Sequence, residues 1–225
     1  MKSRLVGITA LITLVVTILW LVLLIVDTAT AGAIDTFDKV LAHIADLQPL
    51  YYLTYLNATL TVLAATVFFT ALYQSCRQFA PELSSFAMVF VPVYAGINLV
   101  VYLSQITVVP ELIRLYQLSE YRPAAYIFLQ QTVQGWQSSG AAFFNNLAYA
   151  VLGIPSILFG IILTRHNSPS RLAGVLLGLS GLACMVGVIG SLIHNQALRN
   201  GSLVGGVLFL CAVAPLSALA WSKGS

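Results

Sequence analysis

Six long runs of apolar residues, separated by short polar segments, dominate the pattern along this chain. They lie at about residues 5–26, 50–73, 85–108, 141–163, 172–194 and 203–221. Because an α-helix rises about 1.5 Å per residue, roughly 20 apolar residues cross a hydrocarbon core of about 30 Å. Strands of a membrane β-barrel would alternate apolar and polar residues, and these runs do not. The pattern predicts an all-α, polytopic transmembrane bundle with six spans, which forms a single domain over residues 1–225.

Two of the polar segments carry apolar side chains at helical spacing. In the segment 35–47, Asp35 is a plausible helix cap, and the apolar positions are Phe37, Val40, Leu41, Ile44 and Leu47. In the segment 123–137, which opens with Pro123, they are Tyr126, Leu129, Val133 and Trp136. Both segments are predicted to be short amphipathic helices. Such helices can lie flat in the membrane interface, or they can form a lid over a pocket.

Composition agrees with a membrane protein and excludes a water-soluble one. Apolar residues make up 59% of the chain and charged residues 8%, with a mean hydropathy of +0.93, whereas roughly 25% of residues are charged in an ordinary soluble domain. Membrane lipid is therefore an expected partner. A nucleic-acid partner is not expected, because the chain has neither a basic patch interleaved with aromatic residues nor a Gly-rich phosphate loop.

The positions of lysine and arginine predict the orientation of the bundle. Basic residues in short loops are retained on the cytoplasmic side during insertion. With the amino terminus inside, the cytoplasmic segments hold six of the ten basic residues, namely Lys2, Arg4, Arg77, Arg165, Arg171 and Lys223. The stretch TRHNSPSR, residues 164–171, is then a cytoplasmic turn in which Pro169 ends a helix. We expect a multi-pass protein of the cell membrane with both termini in the cytoplasm.

The first apolar run could be compared with a signal peptide, since Lys2 and Arg4 precede it and Ala29, Thr30 and Ala31 resemble a cleavage site. Its length of about 22 residues exceeds the 7–15 apolar residues of a signal core. The run is therefore expected to remain as a spanning helix.

Reactive side chains are scarce in the predicted spans. Acid–base catalysis, metal hydrolysis and proton-coupled transport tend to place carboxylates, histidines or lysines in or beside the spans. The predicted spans contain no Asp, Glu, Lys or Arg. The sequence therefore predicts no catalytic site, no metal site and no cofactor.

A layer of uncharged polar residues is predicted in the outer half of the bundle. Counting along each span at about 1.5 Å per residue places Asn57, Tyr102, Gln105 and Asn146 at similar depth. Asn98 shares a face of the third span with Tyr102 and Gln105, Tyr149 shares a face of the fourth span with Asn146, and His194 is placed at the rim. A polar side chain facing lipid would lack partners, so these residues should face each other. One interpretation is that these residues only form hydrogen bonds between helices. The other is that they line a ligand pocket open to the outer leaflet.

Glycines in the fifth span form a pattern typical of close helix packing. Gly174 and Gly178 make a G-x-x-x-G pair, which lets two backbones approach each other. This pair can pack against a helix of the same chain, or it can form the interface of a homo-oligomer.

The segments AIDTFDKVLAHIADLQPLYYLTYL and NSPSRLAGVLLGLSGLA carry a resemblance to a known family. They are similar to parts of a family of uncharacterised bacterial membrane proteins with six spans. The resemblance implies the same architecture and a bacterial inner membrane, and it implies no activity or site residues.

Two classes of function remain open from the sequence. The first is a non-enzymatic membrane protein that binds a small apolar or lipid-like ligand or a membrane partner. The alternative is a carrier or channel for a small uncharged solute.

Overall fold

Helices account for nearly all of the computed structural model, which describes residues 4–32, 35–165 and 170–221. The six long helices are α1 (Arg4–Ala31), α3 (Pro49–Cys76), α4 (Pro81–Gln117), α6 (Gly140–Thr164), α7 (Ser170–Leu192) and α9 (Gly201–Ser217). The short ones are α2 (Phe37–Ile44), α5 (Arg122–Thr132), α8 (Gln196–Arg199) and a 3₁₀ turn at Ala218–Trp221. The predicted all-α bundle with six apolar helices is therefore confirmed. In the stretch TRHNSPSR, residues 166–169 lie outside the described residues.

Exposed apolar side chains form a belt around the bundle. On α1 the belt runs from Leu5 to Val26, and on α4 it runs from Phe86 to Val108. At about 1.5 Å per residue these stretches are about 32 Å long, close to the roughly 30 Å of a hydrocarbon core. The width of the belt is what a multi-pass membrane protein requires.

The long helices form a closed ring in chain order. Each packs beside the next, in the order α1, α3, α4, α6, α7 and α9, and α9 returns to contact α1. The most extensive contact joins α6 to α7. Contacts across the ring are few, so its axis is free to hold either side chains or a cavity.

Glycine allows the tight contact between α6 and α7. A Cβ added at Gly153 would lie 2.7 Å from the carbonyl oxygen of Gly181, and one added at Gly160 would lie 2.7 Å from that of Gly174. No real Cβ approaches an oxygen this closely, so a larger residue would push the two backbones apart. Gly174 therefore packs within its own chain. An oligomer through Gly174 and Gly178 stays a prediction.

The first half of α1 is held more firmly than its second half. All of its buried residues lie between Val6 and Thr17. Near the amino end, Gly7 contacts the backbone of the 3₁₀ turn. Further along, the Thr13 hydroxyl donates to the Ala64 carbonyl of α3 at 3.1 Å. Beyond Thr17 the helix has no buried residue among those described, and it borders open space inside the ring.

One end of the ring is covered by α2, α5 and the last turns of α4, and we call it the capped end. Their buried apolar side chains pack on each other rather than on lipid, and they are Phe37, Val40, Leu41, Ile44, Val109, Ile113, Leu129 and Val133. Both amphipathic helices predicted for this end are present. The first is capped by Thr36 rather than by Asp35, and the second ends at Thr132 instead of near residue 137.

Helix α4 is longer than its apolar run predicts. It continues through Pro110 to Gln117, nine residues past the predicted span. Hydropathy misses this extension because its exposed face carries Glu111 and Arg114, which pair with each other at 2.6 Å.

Aromatic side chains fill the middle of the ring and the half away from the capped end. We call Phe68, Phe69, Phe159 and Phe209 the aromatic cluster. The Phe69 ring centroid lies 5.9 Å from that of Phe159 and 6.1 Å from that of Phe209. Three helices on different sides of the ring, α3, α6 and α9, thus meet on the axis and close it at this level.

Candidate functional site

A cavity of about 820 Å³ lies inside the ring, between the aromatic cluster and the capped end. All six long helices line it, together with the segment 134–138 between α5 and α6. On α3 the lining runs from Thr54 to Ala65, and on α6 it runs from Asn145 to Ser156. Each stretch spans about 16 Å at about 1.5 Å per residue. The cavity is therefore about half as deep as the apolar belt is wide, which is the depth of one leaflet.

Small residues on the ring's inner face leave this space open. The lining of α6, α7 and α9 includes Gly153, Ser156, Ser180 and Gly205. Gly153 and Gly205 also let α6 and α9 approach α7, since a Cβ at either position would meet that helix. The serine hydroxyls turn to backbone carbonyls: Ser156 donates to Leu152 and Ser180 to Gly205. Phe209 lies at the bottom of the lining, where the aromatic cluster begins.

Three of the residues predicted for the polar layer line the cavity. The hydroxyl groups of Tyr102 and Tyr149 lie 2.9 Å apart, which joins α4 to α6. The Asn146 amide donates to the Ser191 hydroxyl at 3.0 Å, which joins α6 to α7. These hydrogen bonds hold the wall of the cavity together. The same side chains also present polar atoms to its interior.

The other four predicted residues do not line the cavity. Gln105 is fully buried, donates to the Thr132 carbonyl at 2.9 Å and accepts from the Gln134 backbone N–H at 3.0 Å, so it fixes the end of α5 to α4. Asn57 and Asn98 are buried between helices. His194 is exposed in the turn between α7 and α8, with a left-handed backbone at φ 55°. Depth along a span alone therefore does not place a residue at the site.

Buried amide groups of Asn57 and Asn98 lack hydrogen-bond partners within the described part of the chain. The unpartnered atoms are Asn57 Oδ1 and both amide atoms of Asn98. An unsatisfied buried polar group costs about 1–3 kcal/mol. These amide atoms therefore do not join two helices by a hydrogen bond, unlike those of Gln105.

Charged residues surround the cavity where it meets the capped end. The Asp27 carboxylate lies 3.1 Å from the His43 ring, which connects the end of α1 to α2. The Asp35 carboxylate pairs with Lys39 at 2.7 Å, and this hydrogen bond lowers the pKa of Asp35. Among the described residues that line the cavity, Arg199 is the only cation. We call Asp27, His43, Asp35, Lys39 and Arg199, together with Asn200 and Ser202, the rim.

Several polar atoms of the lining have no partner among the described residues. They are Asn145 Oδ1, Arg199 Nε and Ser202 Oγ, all buried from solvent. Arg199 and Ser202 stand beside Gly190 and Gly187, one turn apart on α7. Each of these atoms is closed off even from a water molecule, so a ligand would reach it only after a local rearrangement of the lining.

Beside the second half of α1, beyond its buried residues, exposed lining residues indicate an opening of the cavity between α1 and α9. Leu203 and Val207 border the cavity and are nevertheless 55% and 49% exposed. Across from them, Trp20 and Leu24 of α1 line the cavity and are half-buried. These side chains all lie within the apolar belt, so the opening faces the acyl chains of the membrane rather than water.

Sequence reasoning missed the rim residues and the tryptophans. Arg199 lies in a short segment between two apolar runs, and a cation in such a segment is expected to be a solvated loop residue. Asn145 stands beside Asn146, which the sequence predicts for the site, and two adjacent asparagines in an apolar span are a signal that could have identified it. Trp20 and Trp136 line the cavity, although the sequence alone placed Trp136 on the face of an amphipathic helix.

Comparison of the chain with protein-family models, with curated proteins and with solved structures finds no match. The site is defined by its own geometry: a chamber at leaflet depth whose lining is partly apolar and partly polar, open sideways, with a cation at its rim.

Proposed function

We propose that this protein binds a small lipid-like molecule, non-enzymatically, in the cavity. The observation that carries the proposal is the opening between α1 and α9 at the depth of the acyl chains. An amphipathic molecule already oriented in the bilayer would enter through it without crossing water. Its apolar chain would lie along Leu24, Val207 and Phe209, and its polar end would reach the rim.

The size of the cavity supports an occupant. A chamber of about 820 Å³ is far larger than a water molecule, and leaving it dry would deprive its lining of the contacts that packed atoms make. Lipid, water or a ligand therefore fills it. An acyl chain suits its deeper walls better than water does, since each buried CH₂ contributes about 0.8 kcal/mol.

Tryptophan fluorescence provides a direct test. Trp20 and Trp136 line the cavity, while the third tryptophan, Trp221, is exposed beyond the other end of the ring. In lipid nanodiscs made with Trp221→Phe protein, a terminally brominated undecanol should quench the two remaining tryptophans saturably. Quenching that rises only in proportion to the probe in the membrane would contradict a binding site.

Two glycine variants supply a matched control. A Cβ added at Gly206 or at Gly96 meets no described atom within 4 Å, so neither change creates a backbone clash. Gly206 lines the cavity, whereas Gly96 lies exposed on α4. Gly206→Phe should place a phenyl ring in the chamber and weaken saturable quenching, while Gly96→Phe should leave it intact.

A carrier or channel for a small uncharged solute is the alternative. Such a function needs a path past the aromatic cluster, where the Phe68, Phe69 and Phe159 side chains are fully buried. Solute flux in proteoliposomes that the Gly206→Phe change stops would favour this alternative. Saturable binding without flux favours the binding protein.

We also propose that the capped end faces outward from the cytoplasm of a bacterial cell and that both termini are cytoplasmic. The opposite end carries the exposed residues Arg4, Arg77, Arg165 and Arg171, and cytoplasmic loops retain such residues. In a cysteine-free background, a membrane-impermeant reagent should label a cysteine at Glu120 in intact cells and spare one at Asn167. The reverse result would invert the topology.

A further inference from the structure

We infer that the cavity binds an anionic amphiphile, whose phosphate or carboxylate headgroup is held by Arg199 at the rim. This inference rests on the proposed binding function and deepens it by assigning the class of ligand. It follows from the charges of the rim and the place of the opening.

Arg199 is the charged residue of the described lining that has no partner among the described residues. Asp35 pairs with Lys39, and Asp27 hydrogen-bonds with the His43 ring, so both carboxylates that line the cavity already have partners. The described residues supply no ion pair for the Arg199 guanidinium, and its Nε is buried without an acceptor. Because the side chain as a whole is only half-buried, an anionic headgroup can reach the guanidinium and pair with it.

Arginine is suited to such a headgroup. Its planar guanidinium presents several N–H donors in a fork that matches the oxygens of a carboxylate or phosphate. The Ser202 hydroxyl is buried against Gly187 of α7, so Arg199 is the residue to which the headgroup is assigned.

The opening gives the tail its place. Leu203 lies four residues after Arg199 along the chain and borders the opening in the apolar belt. A molecule with its headgroup on Arg199 can therefore extend its chain along α9 toward Phe209 within the leaflet. Charge and tail contribute at adjacent positions, so neither a free anion nor an uncharged amphiphile would satisfy the whole site.

Three probes separate these contributions in Trp221→Phe protein in nanodiscs. They are a terminally brominated undecyl phosphate, the brominated undecanol with the same tail, and inorganic phosphate as a competitor. The undecyl phosphate should bind at least ~10-fold more tightly than the alcohol, which corresponds to about 1.4 kcal/mol. Inorganic phosphate should not displace it at millimolar concentration. Displacement would overturn the inference in favour of a site for free anions.

Variants assign the preference to Arg199. Arg199→Gln should reduce the affinity for the phosphate ~10-fold and leave that for the alcohol unchanged. Arg199→Lys, which retains the charge, should keep most of the preference and guards against a folding defect in the glutamine variant. The matched control is Arg114→Gln, which removes one charge from an exposed residue at the capped end that does not line the cavity.

The outcomes distinguish this inference from the proposed function. Equal saturable binding of phosphate and alcohol, unaffected by Arg199→Gln, would overturn the anionic headgroup and leave the lipid-like ligand in place. Absence of saturable quenching by either probe would overturn both.

Discussion

The two halves of the ring are built from the same six helices, yet one is filled and the other is hollow. In the filled half, phenylalanines from α3, α6 and α9 meet on the axis and are buried. In the hollow half, the side chains of the same helices do not meet on the axis, and a cavity of about 820 Å³ remains, whose lining includes Thr54 and Ser156. Whether side chains meet on the axis distinguishes the half that is closed from the half that can hold a ligand.

The largest effect on stability is expected from a substitution in the filled half. Phe69 is fully buried and contacts three other phenylalanines. Replacing a buried Phe by Ala costs about 3–5 kcal/mol, so Phe69→Ala should lower the free energy of unfolding by that amount. Leu24→Ala, which only enlarges the hollow half, should cost less than about 1 kcal/mol. Reversible unfolding in mixed micelles measures both, and equal losses would refute the contrast between the halves.

The next effect concerns the seam between α6 and α7. A methyl group at Gly174 would lie 2.7 Å from the Gly160 carbonyl oxygen, whereas one at Gly178, a turn away, meets no described atom within 4 Å. Overpacking costs about 1–3 kcal/mol, and relief from a helical glycine returns about 0.5–1 kcal/mol. Thermal unfolding should therefore show Gly174→Ala destabilised and Gly178→Ala unchanged or stabilised. Equal unfolding temperatures of the two variants would mean that the contact between α6 and α7 rearranges to accommodate a methyl group.

A smaller effect separates wall stability from binding in the hollow half. Asn146 donates one hydrogen bond to Ser191, and such bonds between membrane helices average about 0.6 kcal/mol. Asn146→Leu should cost about that much stability and should weaken saturable binding of the brominated phosphate, because a polar atom of the lining is lost. Ser191→Ala removes the same bond from the α7 side. If both variants retain full affinity, Asn146 serves only the wall.

The smallest expected effect depends on pH at the rim. Lys39 lowers the pKa of the exposed Asp35 carboxyl, so the pair adds stability above the ordinary Asp pKa of about 3.9. That contribution disappears as the pH falls through the lowered value. In wild type, stability should fall slightly more between pH 5 and pH 2 than in Asp35→Asn protein. Asp46→Asn, at another exposed carboxylate, serves as the control.

The sequence predicts the frame of this fold better than its interior. Hydropathy identifies all six spans because lipid contact requires apolar side chains over a fixed length, and the spacing of Phe37 to Ile44 identifies α2. The extension of α4 escapes both signals, because beyond Pro110 the helix leaves the lipid and its apolar face packs on the cap.

Only part of the site could be predicted from the sequence, and the reason is physical. A buried polar residue in a span can face either a neighbouring helix or the axis, and depth does not distinguish the two. Asn98 and Asn146 illustrate this: the first is enclosed between helices, while the second lines the cavity. Arg199 becomes part of the site only when α9 closes the ring against α1.

The width of the apolar belt has a consequence for where the protein can work. On α1 the belt ends at Val26, directly before Asp27, so the rim lies at the border between hydrocarbon and headgroups. A bilayer whose thickness matches the belt therefore holds lipid headgroups level with Arg199. In a thicker membrane the headgroups would lie above the rim, and thinning the bilayer to align them would cost a fraction of a kcal/mol per Å. Membrane thickness would then regulate entry to the cavity without any change in the protein.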